Sequence, residues 1–330
     1  MKSNFRRSLV ILVAATVSSA FMFSSANAAP KKDKYQLLLG STPHFAAPVS
    51  AILKGLCKPL GLNVDIRKFT SGGVAAQSFM AGKGDFVDTG DWPAVRTWLK
   101  TEDQDDPIVG LAPDAFYGDL EVIQTKASIT DPQQLKGKKI GVWLGTTSEF
   151  WTALYLDAHG ISLDEVQLIN IKPAEMVIAL DKGDIDAFGI WQPYGWKSDA
   201  VSGDKVHALS DAKGYFTEYV VVSTRKSLLD NDPDAAKAMV QCMQKGAEFL
   251  RTDIDEAGEI LAKFFKLPLP DTMRLIKVLN NNVAFTPAFR KDMDSLNNFM
   301  LGKGKSKSKI NWDVHFDSRG VRSVDPALVQ

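Results

Sequence analysis

One helix–glycine–strand–turn unit occurs twice in this chain. Lys83-Gly84-Asp85-Phe86-Val87-Asp88 leads into Thr89-Gly90-Asp91-Trp92-Pro93. Lys182-Gly183-Asp184-Ile185-Asp186-Ala187 leads into Ile190-Trp191-Gln192-Pro193. Each copy follows a short amphipathic stretch, 75–81 in the first and 174–180 in the second. Glycine after the last periodic residue is a helix stop, and the apolar residues after the Asp form a short strand. A repeat of this kind predicts two similar lobes facing each other. A cleft between two lobes is a natural small-ligand site.

The rest of the chain fits the same plan. Strands are expected at 35–39, 62–69, 85–88, 108–112, 139–144, 165–169, 187–191 and 219–222. Helices are expected between them, including one opened by Pro48 and stopped by Gly61, with Val49, Ile52, Leu53, Leu56 and Leu60 as its buried face. Strand alternating with helix predicts an α/β fold with parallel or mostly parallel sheet. The chain crosses to the second lobe near 118–124 and returns through 219–222. The helical patterns beyond it, at 235–250, 255–265 and 272–279, are expected to pack back on the first lobe.

The amino terminus reads as an export signal. Lys2, Arg6 and Arg7 precede an apolar run from Leu9 to Phe23, too short for a membrane span, and Ala26-Asn27-Ala28 fits the small-x-small cleavage rule. Without Lys2, Arg6 and Arg7, 36 basic residues face 39 acidic ones, a formal net charge of −3. That balance leaves no footprint for nucleic acid. Lys303, Lys305, Lys307 and Lys309 alternate with Gly and Ser and read as a solvated loop. Cys57 and Cys242 either form a disulfide, as export allows, or sit as two buried thiols on helix faces. Neither they nor His44, His159, His207 and His315 have metal-ligand spacing, so no metal or other cofactor is expected.

The turns at the strand ends carry the chemistry. They hold Ser41-Thr42, Ser71-Gly72-Gly73, Thr89-Gly90-Asp91 and Gly145-Thr146-Thr147-Ser148. Each alone could be a helix cap. Four on one rim point to a shared anion-binding role, because free N–H groups and the positive dipole end face the cleft there. Phe45 and Trp191 follow such positions and could wall the site. Asp91 and Glu149 either cap helices or meet a positive group on a zwitterionic ligand. His44 is the one histidine beside a predicted rim turn, and so the only base an enzyme reading could use. No nucleophile elbow, Cys/His pair or phosphate loop is present, so an enzyme is not expected.

Leu135-Lys136-Gly137-Lys138-Lys139-Ile140-Gly141-Val142 with Gly145-Thr146-Thr147-Ser148 resembles the second-lobe entry of substrate-binding proteins of ABC importers, nitrate/sulfonate/taurine type. The stretch 179–187 with Trp191-Gln192-Pro193-Tyr194 is similar to a second segment of that family. Phe69-Thr70-Ser71-Gly72-Gly73 and Gly82-Lys83-Gly84-Asp85-Phe86 with Thr89-Gly90-Asp91 are similar to its first-lobe motifs. The resemblance implies a two-lobed type II periplasmic binding protein, with mixed sheets flanked by helices and two crossover strands. It divides the chain into a signal peptide at 1–28, the first part of lobe 1 at 29–118, lobe 2 at 119–218 and a mostly helical return of lobe 1 at 219–330. It further implies a periplasmic monomer that captures a small sulfonate, taurine-like or related acidic or zwitterionic ligand and docks on an inner-membrane permease. Ser71, Thr89, Gly90, Thr146 and Thr147 would hold the acid group, with Trp191 lining the cleft. The bulk and acidity of Asp91-Trp92 and Glu149-Phe150-Trp151 favour an amino-bearing ligand, or an aromatic, heterocyclic or quaternary-ammonium one as the alternative.

Overall fold

The computed structural model describes residues 29–330, so the export-signal reading lies outside the described residues. Two five-stranded sheets organise the molecule. The first contains β1 (Tyr35–Leu39), β2 (Val64–Lys68), β3 (Phe86–Gly90) and β4 (Ile108–Tyr117). The second contains β5 (Glu121–Lys126), β6 (Lys139–Val142), β7 (Gln167–Asn170), β8 (Ala187–Trp191) and β9 (Val206–Asp211). The chain then returns, and β10 (Glu218–Arg225) joins the first sheet between β3 and β4. The orders are β2-β1-β3-β10-β4 and β7-β6-β8-β5-β9. Both sheets are mixed: β10 is antiparallel to both neighbours, and β5 to β8 and β9. The chain passes between the sheets at 118–120 and 212–217.

Helices cover both faces of each sheet. In the first lobe α1 (Ala46–Lys54), α2 (Gly72–Met80) and α3 (Asp91–Thr101) follow β1, β2 and β3. The second lobe has α4 (Thr147–Ala158), α5 (Pro173–Lys182) and α6 (Tyr194–Ser202). After β10 come α7 (Lys226–Asn231), α8 (Pro233–Thr252), α9 (Ile254–Phe265), α10 (Leu269–Ile276) and α11 (Pro287–Gly302). One core packs α1, α8, α9 and α10 on one face of the first sheet, around Leu37, Leu39, Val109, Val222, Met239 and Leu261. Another packs α2, α3 and α11 on the opposite face, around Leu38, Phe79, Trp98, Val221 and Phe289. The second sheet likewise has a core on each face, one around Trp151 and Tyr155, the other around Met176, Phe188 and Ile190.

The repeated module is α2–β3–α3 in one lobe and α5–β8–α6 in the other. Its aspartates do the same job twice. Asp85 accepts from the Gln36 N–H at 2.8 Å while its own N–H bonds the Gln36 carbonyl at 3.0 Å. Asp186 accepts from the Lys139 N–H at 3.0 Å while its own N–H bonds the Lys139 carbonyl at 2.8 Å. Each carboxylate thus pins the start of the neighbouring strand, β1 or β6, to the module's own strand.

Cys57 and Cys242 are disulfide-bonded, with Cα atoms 5.0 Å apart. The bridge ties the turn after α1 to α8 and closes a long loop, with a sequence separation of 185. A loop that long constrains the unfolded chain by a few kcal/mol in the chain-entropy picture. The expected helix at 48–60 is interrupted. Gly55 is left-handed at φ 81° and its N–H caps Ala51 and Ile52, so α1 ends at Lys54. The alternating lysines are exposed as expected, yet two of them cross between lobes: Lys305 pairs with Glu149 at 2.7 Å and Lys303 with Asp157 at 2.5 Å, both on α4.

Candidate functional site

Three helix N-termini from the two lobes meet at one cavity. The cavity is lined by Ser71, Gly72 and Gly73 at the start of α2, Gly90 and Pro93 at α3, and Thr146 and Thr147 at α4. The first-turn N–H groups of a helix have no partner inside the helix and carry partial positive charge. Ser71 caps α2, its hydroxyl accepting from the Val74 N–H at 3.3 Å. At α3 and α4 no cap side chain takes that role: Gly90 has none, and the Thr146 hydroxyl donates instead to the Trp143 carbonyl at 2.7 Å. α4 therefore keeps first-turn N–H groups available to an anion between the lobes, whereas at α3 the Trp92 N–H goes to the Asp91 carboxyl and Pro93 has none, which leaves the Asp91 N–H.

The cavity measures about 40 Å³. At roughly 10–15 Å³ for each water, that is the space of a compact polar headgroup. The remaining wall comes from Gly40, Ser41, Thr42, His44 and Phe45 after β1, from Thr70, from Tyr117 at the end of β4, from Trp191 at the end of β8, and from Glu218 and Val220 on β10. Among the described residues that line it there is no lysine or arginine. An anion here would be held by neutral donors alone. His44 is one of them. Burial pushes its pKa down to about 3, so the imidazole stays neutral. Its Nδ1 lies 2.9 Å from the Thr42 hydroxyl, and its Nε2 has no partner among the described residues.

The two lobes touch at this rim. A Cβ on Gly73 would come within 2.9 Å of the Gly145 carbonyl oxygen and 3.1 Å of the Thr146 methyl. Trp92 of α3 stacks on Phe150 of α4 with ring centroids 5.3 Å apart. The lobes are closed on each other around the cavity.

The structure brings together Ser41, His44, Phe45, Ser71, Gly90, Thr146, Thr147 and Trp191. Thr89, Asp91 and Glu149 do not line the cavity. Thr89 is buried with its Cα and Cβ against Gly72. Asp91 accepts from the Trp92 N–H at 2.6 Å and the Tyr219 N–H at 3.3 Å, fastening α3 to β10. Glu149 accepts from the Gly145 N–H at 2.8 Å and faces Lys305 and Arg96, so its charge is used between lobes. The acid at the site is Glu218, which the strand pattern did not single out. The signal was there: a glutamate opens an otherwise apolar crossing strand, as Glu121 does in β5. Tyr117, one of the aromatics that flank the turns in sequence, was not among the expected ligand contacts, because β4 runs further than its apolar stretch suggests.

Comparison with known proteins places this architecture. Residues 42–257 match the family model described as NMT1/THI5 like. A protein of Brucella abortus strain 2308, named only as a binding protein, is 31% identical over 230 residues, 68% of this chain and 69% of that one. The taurine-binding periplasmic protein of Escherichia coli K12 is 27% identical over 187 residues, 56% of each chain. Among solved structures, the alkanesulfonate-binding protein of Xanthomonas axonopodis pv. citri bound to MOPS superposes with a TM-score of 0.70 at 14% identity, covering 92% of this chain and 99% of that one. The two-lobed α/β architecture is therefore that of periplasmic binding proteins, and the chain belongs to the NMT1/THI5-like family.

Proposed function

We propose that this protein is the solute-binding component of an ABC importer, exported to the periplasm, which closes its lobes on the acid group of a small sulfonate or related zwitterion and delivers it as a monomer to a membrane permease. The observation that carries this reading is the convergence of three helix N-termini from both lobes on one cavity with no lysine or arginine in its wall. Ser41, Ser71, Gly90, Thr146 and Thr147 are the acid-group contacts in this reading, and Phe45 and Trp191 the wall. The site performs no chemistry: an imidazole with its pKa near 3 is a poor general base at neutral pH.

Ligand binding stabilises the folded state by mass action, about 2.7 kcal/mol at a hundredfold excess over the dissociation constant. A thermal-shift panel of taurine, alkanesulfonates, MOPS and nitrate is expected to contain at least one member that raises the melting temperature by several degrees. No shift with any of them would refute the proposal. Within that assay Trp191→Ala is expected to weaken binding about tenfold, since a half-buried ring wall is lost, and to leave the unliganded melting point almost unmoved. Equal loss of both would make Trp191 part of the core.

A further inference from the structure

Glu218 and Glu121 open the two strands that lie just beyond the lobe crossings, β10 and β5. Both are buried, at 4% and 1% exposure. Glu218 reaches the cavity. One of its carboxyl oxygens accepts from the Thr147 hydroxyl at 3.0 Å, and the carboxyl also lies within hydrogen-bond reach of the Glu121 carboxyl and the Tyr117 phenol. Glu121 meets no basic donor: the group within its hydrogen-bond reach is Glu218, another acid. Glu121 is opposite Trp191 in the β5–β8 ladder, so the pair sits under the aromatic wall of the site. The groups facing the pair are the Tyr117 phenol from β4 and the Asp91 carboxyl from α3, with neutral His44 in the same cavity wall. No cation is among them.

We infer that Glu218, backed by Glu121, is the seat for a protonated amine of the ligand, so that the substrate class is a small amino-bearing sulfonate or like zwitterion rather than a simple anion. This rests on the proposed function and narrows it. A buried carboxyl pair beside the anion pocket, met only by neutral hydroxyls and by its own partner acid, still has acceptor capacity for a further donor. Every other charged neighbour is acidic, so the donor that satisfies it best is cationic. Without such a group the two acids keep their protons: burial pushes Glu121 up to about 8, and burial together with Glu121 pushes Glu218 well above the usual carboxylate range. When the ammonium enters, it displaces one proton from the Glu218–Glu121 pair to solvent and leaves a carboxylate against the cation. The sulfonate stays at the helix N-termini and no covalent bond changes.

Taurine and ethanesulfonate differ only by the amine and make the test. Calorimetry on the intact wild-type protein, run at pH 7 in two buffers of different ionisation enthalpy, is expected to show taurine bound at least about tenfold more tightly. Taurine binding should release a fraction of a proton up to one whole proton per ligand and tighten between pH 6 and pH 8. Ethanesulfonate should release none. Glu218→Gln is expected to abolish the proton release and bring the two affinities together. Equal binding of the two sulfonates by the wild-type protein, or taurine binding with no proton release, overturns this inference and leaves the proposed function standing. Failure of both sulfonates while nitrate binds also overturns it alone. Failure of every anion tested overturns the two together. The wild-type measurements decide the matter even if the variant does not fold.

Discussion

The folded protein is expected to lose stability as pH rises from about 5 to 8, opposite to the usual behaviour of a domain held by surface ion pairs. Five carboxyls are fully buried with raised pKa values. Glu121 is pushed to about 8 by burial. Glu218 is raised by burial and then by Glu121, and Asp91 by burial and then by Glu218. Asp88 and Asp114, on β3 and β4, are raised mainly by burial, and their carboxyl oxygens have no hydrogen-bond partner among the described residues. Where the folded pKa lies above the unfolded one, the folded state keeps a proton that the unfolded state gives up. The stabilisation is then complete below the unfolded value and is lost as pH climbs through the folded value. For Glu121 that window runs from 4.5 to about 8. Each such group changes stability by on the order of 1 kcal/mol per pH unit within its window. His44 opposes them: its folded pKa near 3 is below the unfolded 6.5, so its contribution is lost as pH falls through that range. One imidazole against several carboxyls leaves a net fall of several kcal/mol from pH 5 to pH 8. Below the unfolded carboxylate range the carboxyl contribution is complete and no longer changes with pH, His44 sets the slope, and stability should drop again. Urea unfolding midpoints across pH 4–9 measure this directly. Glu121→Gln should flatten the alkaline limb, because the amide cannot ionise. A midpoint that rises from pH 5 to pH 8 would remove the basis for it.

Much of the scaffold is legible in the chain because it follows from local rules. The repeated unit is visible because a glycine stop and a buried strand recur with the same strand-pinning aspartate. The edges of elements depend on tertiary surroundings. Pro113 and Asp114 look like the end of a strand, yet β4 continues to Tyr117. It can do so because β4 is an edge strand, where a missing proline N–H costs no ladder bond on the open side. The apolar stripe through Leu56 and Leu60 suggests one helix to Gly61, whereas Gly55 has already taken the left-handed turn that ends it. The strand β9 passes unnoticed because it lies at an edge, with only Val206 fully buried. At the site, helix-start residues were readable since capping chemistry and anion binding use the same side chains. Asp91 and Glu149 resemble Glu218 in sequence terms: each is an acid next to aromatic residues. Only the meeting of the two sheets shows that the first two are taken up by backbone N–H groups and, for Glu149, by lysine, while Glu218 faces the cavity.

Gly73→Val is expected to reduce ligand affinity at least about a hundredfold, or 2.7 kcal/mol and more. The cause is lobe closure, and the contact is specific. The rims of the cleft meet where the first turn of α2 faces the loop before α4. A Cβ at Gly73 would stand 2.9 Å from the Gly145 carbonyl oxygen, which real Cβ atoms essentially never do, and the next nearest atom is the Thr146 methyl. The obstacle is backbone on the other lobe, so no rotamer change relieves it. The two branches of valine extend the clash, and the lobes must stay apart. With the lobes apart, the α4 N–H groups cannot reach an anion held by α2 and α3. The substitution should barely touch the lobes themselves. Gly73 sits in a helix with ordinary backbone angles, where valine is no worse a helix former than glycine. The melting point of the unliganded protein should therefore stay within a degree or two, while the shift produced by a saturating ligand disappears. Gly73→Ala should fall between, because a single methyl can be met by a few tenths of an ångström of rim movement. Small-angle scattering with ligand present separates the explanations. The wild-type protein should contract or stay compact, and the valine variant should keep an open profile. Full affinity in Gly73→Val would mean that the anion pocket works without the two lobes meeting at Gly145, and the closure reading of the three helix N-termini would fall with it.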